Sequence, residues 1–203
     1  MGKRYPPASR SSSPIADRLL LQQEIDAAIG DLTVPHRRKE AYWKLRGIGS
    51  PARPAVEEGL LADDADLRLA CTILIDRLAG PDSFELMLLL LEDADGRVRA
   101  HAMHALACDR CKSDDVCALP RDDLIPIAAR LLADDPQDPV RSIALEVLAR
   151  WVHHDAAAYA AIEKASVTDP SPAVRKKAKW FLPGGKHYER TKPRVRRNSA
   201  ARS

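Results

Sequence analysis

Pro139-Val140-Arg141-Ser142-Ile143-Ala144 decides how the chain is read. An aliphatic residue precedes an arginine, and a small residue stands three places after it. Three further stretches keep this register: Asp66-Leu67-Arg68-Leu69-Ala70-Cys71, Arg97-Val98-Arg99-Ala100-His101-Ala102 and Ala173-Val174-Arg175-Lys176-Lys177-Ala178. Each runs on into apolar residues, namely Ile73-Leu74, Ala105-Leu106, Val147-Leu148 and Phe181-Leu182. Each is preceded by acids or by Asp-Pro: Asp63-Asp64, Asp93 with Asp95, Asp134-Asp135-Pro136, and Asp169-Pro170. The arginines are 31, 42 and 34 residues apart. A weaker copy starts at Arg38, with Ala41 and Leu45 beyond it. Self-similarity at such a period marks a repeat architecture, in which stacking buries what a single unit cannot.

The residue types suit paired helices. An aspartate at a helix start accepts hydrogen bonds from backbone N–H groups that lack a helical partner. Pro139 and Pro172 fit a first helical turn, where no donor is missed. The aliphatic residue and the small residue lie on one helix face. The expected helices are an N-terminal cap from Ile15 to Ile29, a single helix from His36 to Gly47, and then pairs. These are Pro54–Leu61 with Asp66–Ala79, Asp82–Leu91 with Gly96–Cys108, Asp122–Ala133 with Asp138–Val152, and Asp155–Thr168 with Pro172–Leu182.

In this register the chain resembles the HEAT-repeat family, in particular its short bacterial, lyase-like repeats. The resemblance spans roughly Pro35 to Leu182 and includes the turn-like stretch Ile48-Gly49-Ser50-Pro51-Ala52-Arg53-Pro54. It implies an all-α solenoid of stacked antiparallel helix pairs, curved and right-handed. The concave side, lined by the second helix of each pair, is then the expected binding surface. The resemblance also implies that Arg68, Arg99, Arg141 and Arg175 meet an aspartate of the adjacent repeat, forming a ladder. Contact with a ligand is the alternative for these arginines. The family serves many unrelated binding tasks, so the fold leaves the partner open.

Composition sets further bounds. The apolar content is Leu, Ala, Val and Ile, with aromatics at only 4%. The longest apolar run, Leu86 to Leu91, is far short of the ~20 residues needed to span a bilayer. The N-terminal residues show no secretory pattern, so a cytoplasmic setting is expected. The net charge of +3 is unevenly spread. Residues 1–18 carry +3, residues 183–203 carry +6, and the body carries −6. Residues 1–14 and 183–203 are expected to be disordered flanks of a repeat domain over residues 15–182. Lys186, Arg190, Lys192, Arg194, Arg196 and Arg197 make the tail either a solvated extension or a contact for nucleic acid or another polyanion.

The 42-residue interval holds three of the four cysteines. His104 and Cys108 share a helix face, Cys108 and Cys111 have the spacing of a two-thiolate clip, and Cys117 follows. His104, Cys108, Cys111 and Cys117 would suit a structural zinc ion. Unbound thiols and a redox disulfide are the other readings. Cys71 stands in the small-residue column and is expected in the core.

Catalytic signatures are missing. No histidine precedes a glutamate, which sets aside the helical metal hydroxylases of this fold. No phosphate loop, hydrolase motif or distinctive chromophore site is present. Trp43, Trp151 and Trp180 with basic second helices keep a DNA-repair type of protein open; Trp151 and Trp180 suit packing. The leading expectation is a non-catalytic scaffold binding a protein along the concave face. The alternative is a nucleic-acid-associated protein using basic helices and the tail.

Overall fold

The computed structural model describes residues 13–80, 83–108 and 119–193. Among them are eleven α-helices and no strand. They pair as α1 (Pro14–Asp31) with α2 (Arg38–Ile48), α3 (Arg53–Gly59) with α4 (Ala65–Leu78), and α5 (Ser83–Leu89) with α6 (Gly96–Ala107). Then come α7 (Arg121–Asp134) with α8 (Asp138–Leu148), α9 (Ala156–Thr168) with α10 (Pro172–Lys179), and a short α11 (Lys186–Thr191). The fold is an α-solenoid. One expectation changes: α2 is not single, because α1 packs against it as the first member of a pair. No helix among the described residues is long and apolar enough to cross a membrane.

Second helices stack on one another along the chain, α2 on α4, α4 on α6, α6 on α8 and α8 on α10. Their inward faces supply Leu45, Leu74, Ile75, Met103, Leu106, Leu145 and Leu148, all fully buried. First helices and their turns answer with Ile25, Leu32, Leu60, Met87 and Leu124. Each such side chain stabilises the stack by about 1.5–3 kcal/mol. Cys71 belongs to this core, and burial pushes its thiol up to about 12. A Cβ at Gly59 would lie 2.4 Å from the Cys71 sulfur, so glycine there lets α3 and α4 close up. Gly49, with φ of 76°, turns the chain out of α2.

The acids before each second helix divide into two roles. Asp64 and Asp95 are N-caps, accepting from the N–H groups of Asp66 and Arg97, each at 2.8 Å. Asp155 caps α9 in the same way. Asp93, Asp135 and Asp169 lie two residues ahead of the N-caps Asp95, Gln137 and Ser171. They accept from the N–H groups of Asp95, Gln137 and Ser171, two residues on. This leaves their carboxylates facing the preceding repeat.

Arg68 grips Asp93 through Nε and a terminal nitrogen at 2.7 and 3.0 Å. Arg99 grips Asp135 at 2.7 and 2.8 Å, and Arg141 grips Asp169 at 2.8 and 3.0 Å. Bidentate geometry of this kind gives the strongest charge-assisted hydrogen bonds. The remaining terminal nitrogen of each arginine donates to the carbonyl six residues upstream: Ala62, Asp93 and Asp135. Arg175 repeats that carbonyl bond with Asp169, and Arg38 bonds the Leu32 carbonyl from Nε. Arg38 stands opposite Ala62, where later repeats have an aspartate, so the carboxylate rungs begin at Arg68. Burial alone would raise the Asp93 and Asp135 carboxyls. The arginine and backbone donors outweigh it and hold both below the usual carboxylate range.

The start of the expected tail is folded. α11 turns back so that the N–H groups of His187 and Tyr188 donate to the Trp180 carbonyl at 2.9 and 3.0 Å. Tyr188 lies 4.3 Å from the His153 ring, and His187 lies 4.9 Å from Phe181.

Candidate functional site

The stacked second helices carry two residue columns, two and five places after the ladder arginine. The first holds Ala70, His101, Ile143 and Lys177, and the second holds Ile73, His104, Glu146 and Trp180. They are three apart on a helix and so share a face. All eight line cavities on that layer.

Four cavities, of about 380, 560, 340 and 660 Å³ from α2 to α11, share lining residues and so join into one furrow. Tyr42 and Ile73 link the first two, His104 and Ile143 the next, Glu146 and Arg150 the last. Ile73 is 38% exposed on the furrow floor. Nearby Trp43 is 53% exposed, with the Arg46 guanidinium 4.9 Å from its ring. The rim is mostly basic: Arg38, Lys39, Arg77, Arg150, Lys186 and Arg190. Lys186 sits 4.0 Å over the Trp180 ring, and Lys177 pairs with Glu146. Arg97 is tied to Asp95 at 2.6 Å and Asp66 at 3.0 Å. Arg150 also donates to the Ala107 carbonyl, which answers an open acceptor at the end of α6.

At the middle of the furrow the chemistry changes. Asp76, near the end of α4, faces His104 on α6 and Cys108 just past it. One carboxylate oxygen, one ring nitrogen and the thiol sulfur all lie within 4.8 Å of one another. Asp76 is 8% exposed, and its Oδ1 has no hydrogen-bond partner among the described residues. Its Oδ2 is 4.0 Å from Arg77 Nε, too far for a hydrogen bond. His101 flanks the group one turn before His104. Partial burial pushes its pKa below the ordinary imidazole value, the neighbouring His104 adds to this, and Asp76 opposes it.

Of the zinc-type set expected from sequence, His104 and Cys108 meet here, whereas Cys111 and Cys117 lie outside the described residues. Sequence reasoning missed Asp76. The signal was present in the repeat register: eight places after the arginine the other copies have Arg46, Ala107, Ala149 and Pro183, and this one alone has an acid. Arg68, Arg99 and Arg141 are turned into the ladder, with side chains 16%, 9% and 6% exposed. Of the tail residues, Lys186, Arg190 and Lys192 are exposed, and Arg194, Arg196 and Arg197 lie outside the described residues.

No family model matches this sequence, and no curated protein does. Among solved structures, a chain of the complex of CpcE and CpcF of phycocyanin lyase from Nostoc sp. PCC7120 superposes with a TM-score of 0.63. The match covers 79% of this chain and 98% of that chain, at 15% identity. Identity at this level speaks to architecture. With the arginine register and the stacked pairs, it makes this chain a HEAT-like α-solenoid.

Proposed function

We propose that the chain is a non-catalytic scaffold whose repeat body holds a partner protein along the second-helix furrow. The observation that carries this is the joined furrow itself, with an apolar floor at Tyr42, Ile73 and Ile143 and a largely basic rim. An elongated trough of this kind suits an extended or helical segment whose apolar residues meet the floor and whose acids meet the rim. The structural relative was solved as a complex of two protein chains, which agrees with a protein partner for this fold. The guanidiniums of Arg68, Arg99 and Arg141 are committed to aspartates, so these three add nothing to a nucleic-acid surface. What remains basic is the furrow rim and the tail.

The test is a pull-down with the full chain as bait, comparing wild type with Ile73→Glu and with Val167→Glu. Val167 is 74% exposed on α9, a first helix. A partner held by the furrow is lost with Ile73→Glu and retained with Val167→Glu. Equal retention by both variants overturns the assignment. Duplex DNA across a salt series is the competing outcome: binding that weakens steeply with salt, and that survives Ile73→Glu, favours the nucleic-acid reading.

A further inference from the structure

Asp76 is the anomaly of the molecule. Buried carboxylates in proteins are paired, because an isolated one costs several kcal/mol of lost hydration. Asp93 and Asp135, with side chains 5% and 3% exposed between repeats, each have a two-pronged guanidinium and a backbone N–H. Asp76 has an orphaned Oδ1 and shares its corner with an imidazole and a thiol. No lysine or arginine hydrogen-bonds it among the described residues; the nearest recorded cation is Arg77, at 4.0 Å.

We infer that Asp76, His104 and Cys108 form a binding site for a zinc-like divalent transition-metal ion. The donor set is one oxygen, one nitrogen and one sulfur. Hard ions such as calcium and magnesium take oxygen donors almost alone, whereas borderline ions accept this mixture. Bonds of ~2.0–2.3 Å place tetrahedral donors about 3.5 Å apart, so atoms within 4.8 Å of one another close on an ion by side-chain rotation. Helix geometry supports the arrangement. His104 and Cys108 are four residues apart on one face, and Asp76 comes from the helix stacked on that face. Cys108 binds as thiolate, releasing one proton to solvent. The ion supplies a positive charge in direct contact, which Arg77 at 4.0 Å does not. Among the described residues three donors converge, which leaves a fourth position beside the furrow that His104 lines. Water or a donor from a bound molecule fills it. The inference does not depend on the partner reading, since it concerns an ion alone.

The test uses the full chain, stripped with a chelator and then titrated with Zn²⁺ and with Co²⁺. About one equivalent of Zn²⁺ is expected to bind. The Co²⁺ form is expected to show a thiolate-to-metal charge-transfer band that Cys108→Ser abolishes. Asp76→Asn and His104→Gln are expected to weaken Zn²⁺ binding by more than ~100-fold, beyond what outer-shell losses produce. Cys71→Ala, Cys111→Ser and Cys117→Ser are expected to leave the affinity within about threefold. The apo form of Asp76→Asn melts no lower than wild type, which separates loss of a ligand from loss of fold. Three results overturn the inference: less than about a tenth of an equivalent bound, unchanged affinity in Asp76→Asn or His104→Gln, or a site lost with Cys111→Ser or Cys117→Ser but kept in Asp76→Asn. None of these three results bears on partner capture in the pull-down.

Discussion

Asp135 and Asp76 are both carboxylates buried between neighbouring helix pairs, and the fold treats them in opposite ways. Asp135 receives two bonds from Arg99 and one from the Gln137 N–H. Asp76 keeps an oxygen without a partner. The first belongs to a device that recurs at every rung of the ladder. The second occurs once, in a column where no other copy has an acid: Arg46, Ala107, Ala149 and Pro183 stand there. Repetition with full pairing is what a structural role produces. A single exception, whose Oδ1 has no hydrogen-bond partner among the described residues and which sits beside an imidazole and a thiol, is what the proposed ion site requires.

The comparison can be broken most forcefully on the ladder side. Arg99→Met leaves Asp135 buried without its counter-charge and is expected to lower stability by about 3–5 kcal/mol in urea unfolding. The double variant Arg99→Met with Asp135→Leu is expected to recover most of that loss, because the stranded charge is gone. A single-variant loss under about 1 kcal/mol would remove the distinction between the two carboxylates.

Acid is the second probe. Asp93 and Asp135 titrate lower in the folded chain than in the unfolded one. Their contribution to stability is therefore complete above the unfolded value, about pH 4, and is lost as pH falls through the folded values. The melting temperature is expected to drop on that acid limb. Replacing both pairs by apolar residues should flatten it. An unchanged limb in that variant would show that other carboxylates control acid unfolding.

A smaller effect of opposite sign is expected at the other carboxylate. Asp76→Asn removes an uncompensated charge and should stabilise the metal-free chain by about 1 kcal/mol, or about 2–4 °C in melting temperature. A clear drop in melting temperature would mean that Asp76 is already satisfied without an ion. The smallest change is expected at the end of the ladder. Among the described residues Arg175 bonds the Asp169 and Pro170 carbonyls and grips no carboxylate, so Arg175→Ala should cost about 1 kcal/mol or less. A loss matching that of Arg99→Met would show that the ladder's strength does not lie in its carboxylates.

The fold was legible because the arginine register repeats. Four copies place the second helices within a few residues of α4, α6, α8 and α10. What was not legible depended on contacts between repeats. The resemblance implied an arginine–aspartate ladder but not which acids form it: Asp93, Asp135 and Asp169 stand close to the helix starts, and only the stacked arginine tells them from caps. Asp76 reads as one more surface acid until α6 is stacked on α4, which brings His104 within reach from 28 residues away. Lys186–Thr191 reads as tail because a six-residue helix has too little periodicity of its own. Its folding comes from Trp180, His153 and Phe181.

The ladder bond closes across 25 residues at Arg68, 36 at Arg99 and 28 at Arg141, with the same geometry each time. Chain length between rungs is therefore free to vary while the stack holds its pitch. Doubling a flexible connector adds only about 0.6 kcal/mol of closure entropy. The interval from Arg99 to Asp135, the longest of the three, keeps the same grip as the shortest, so the spine is set by its rungs and not by the length of chain between them.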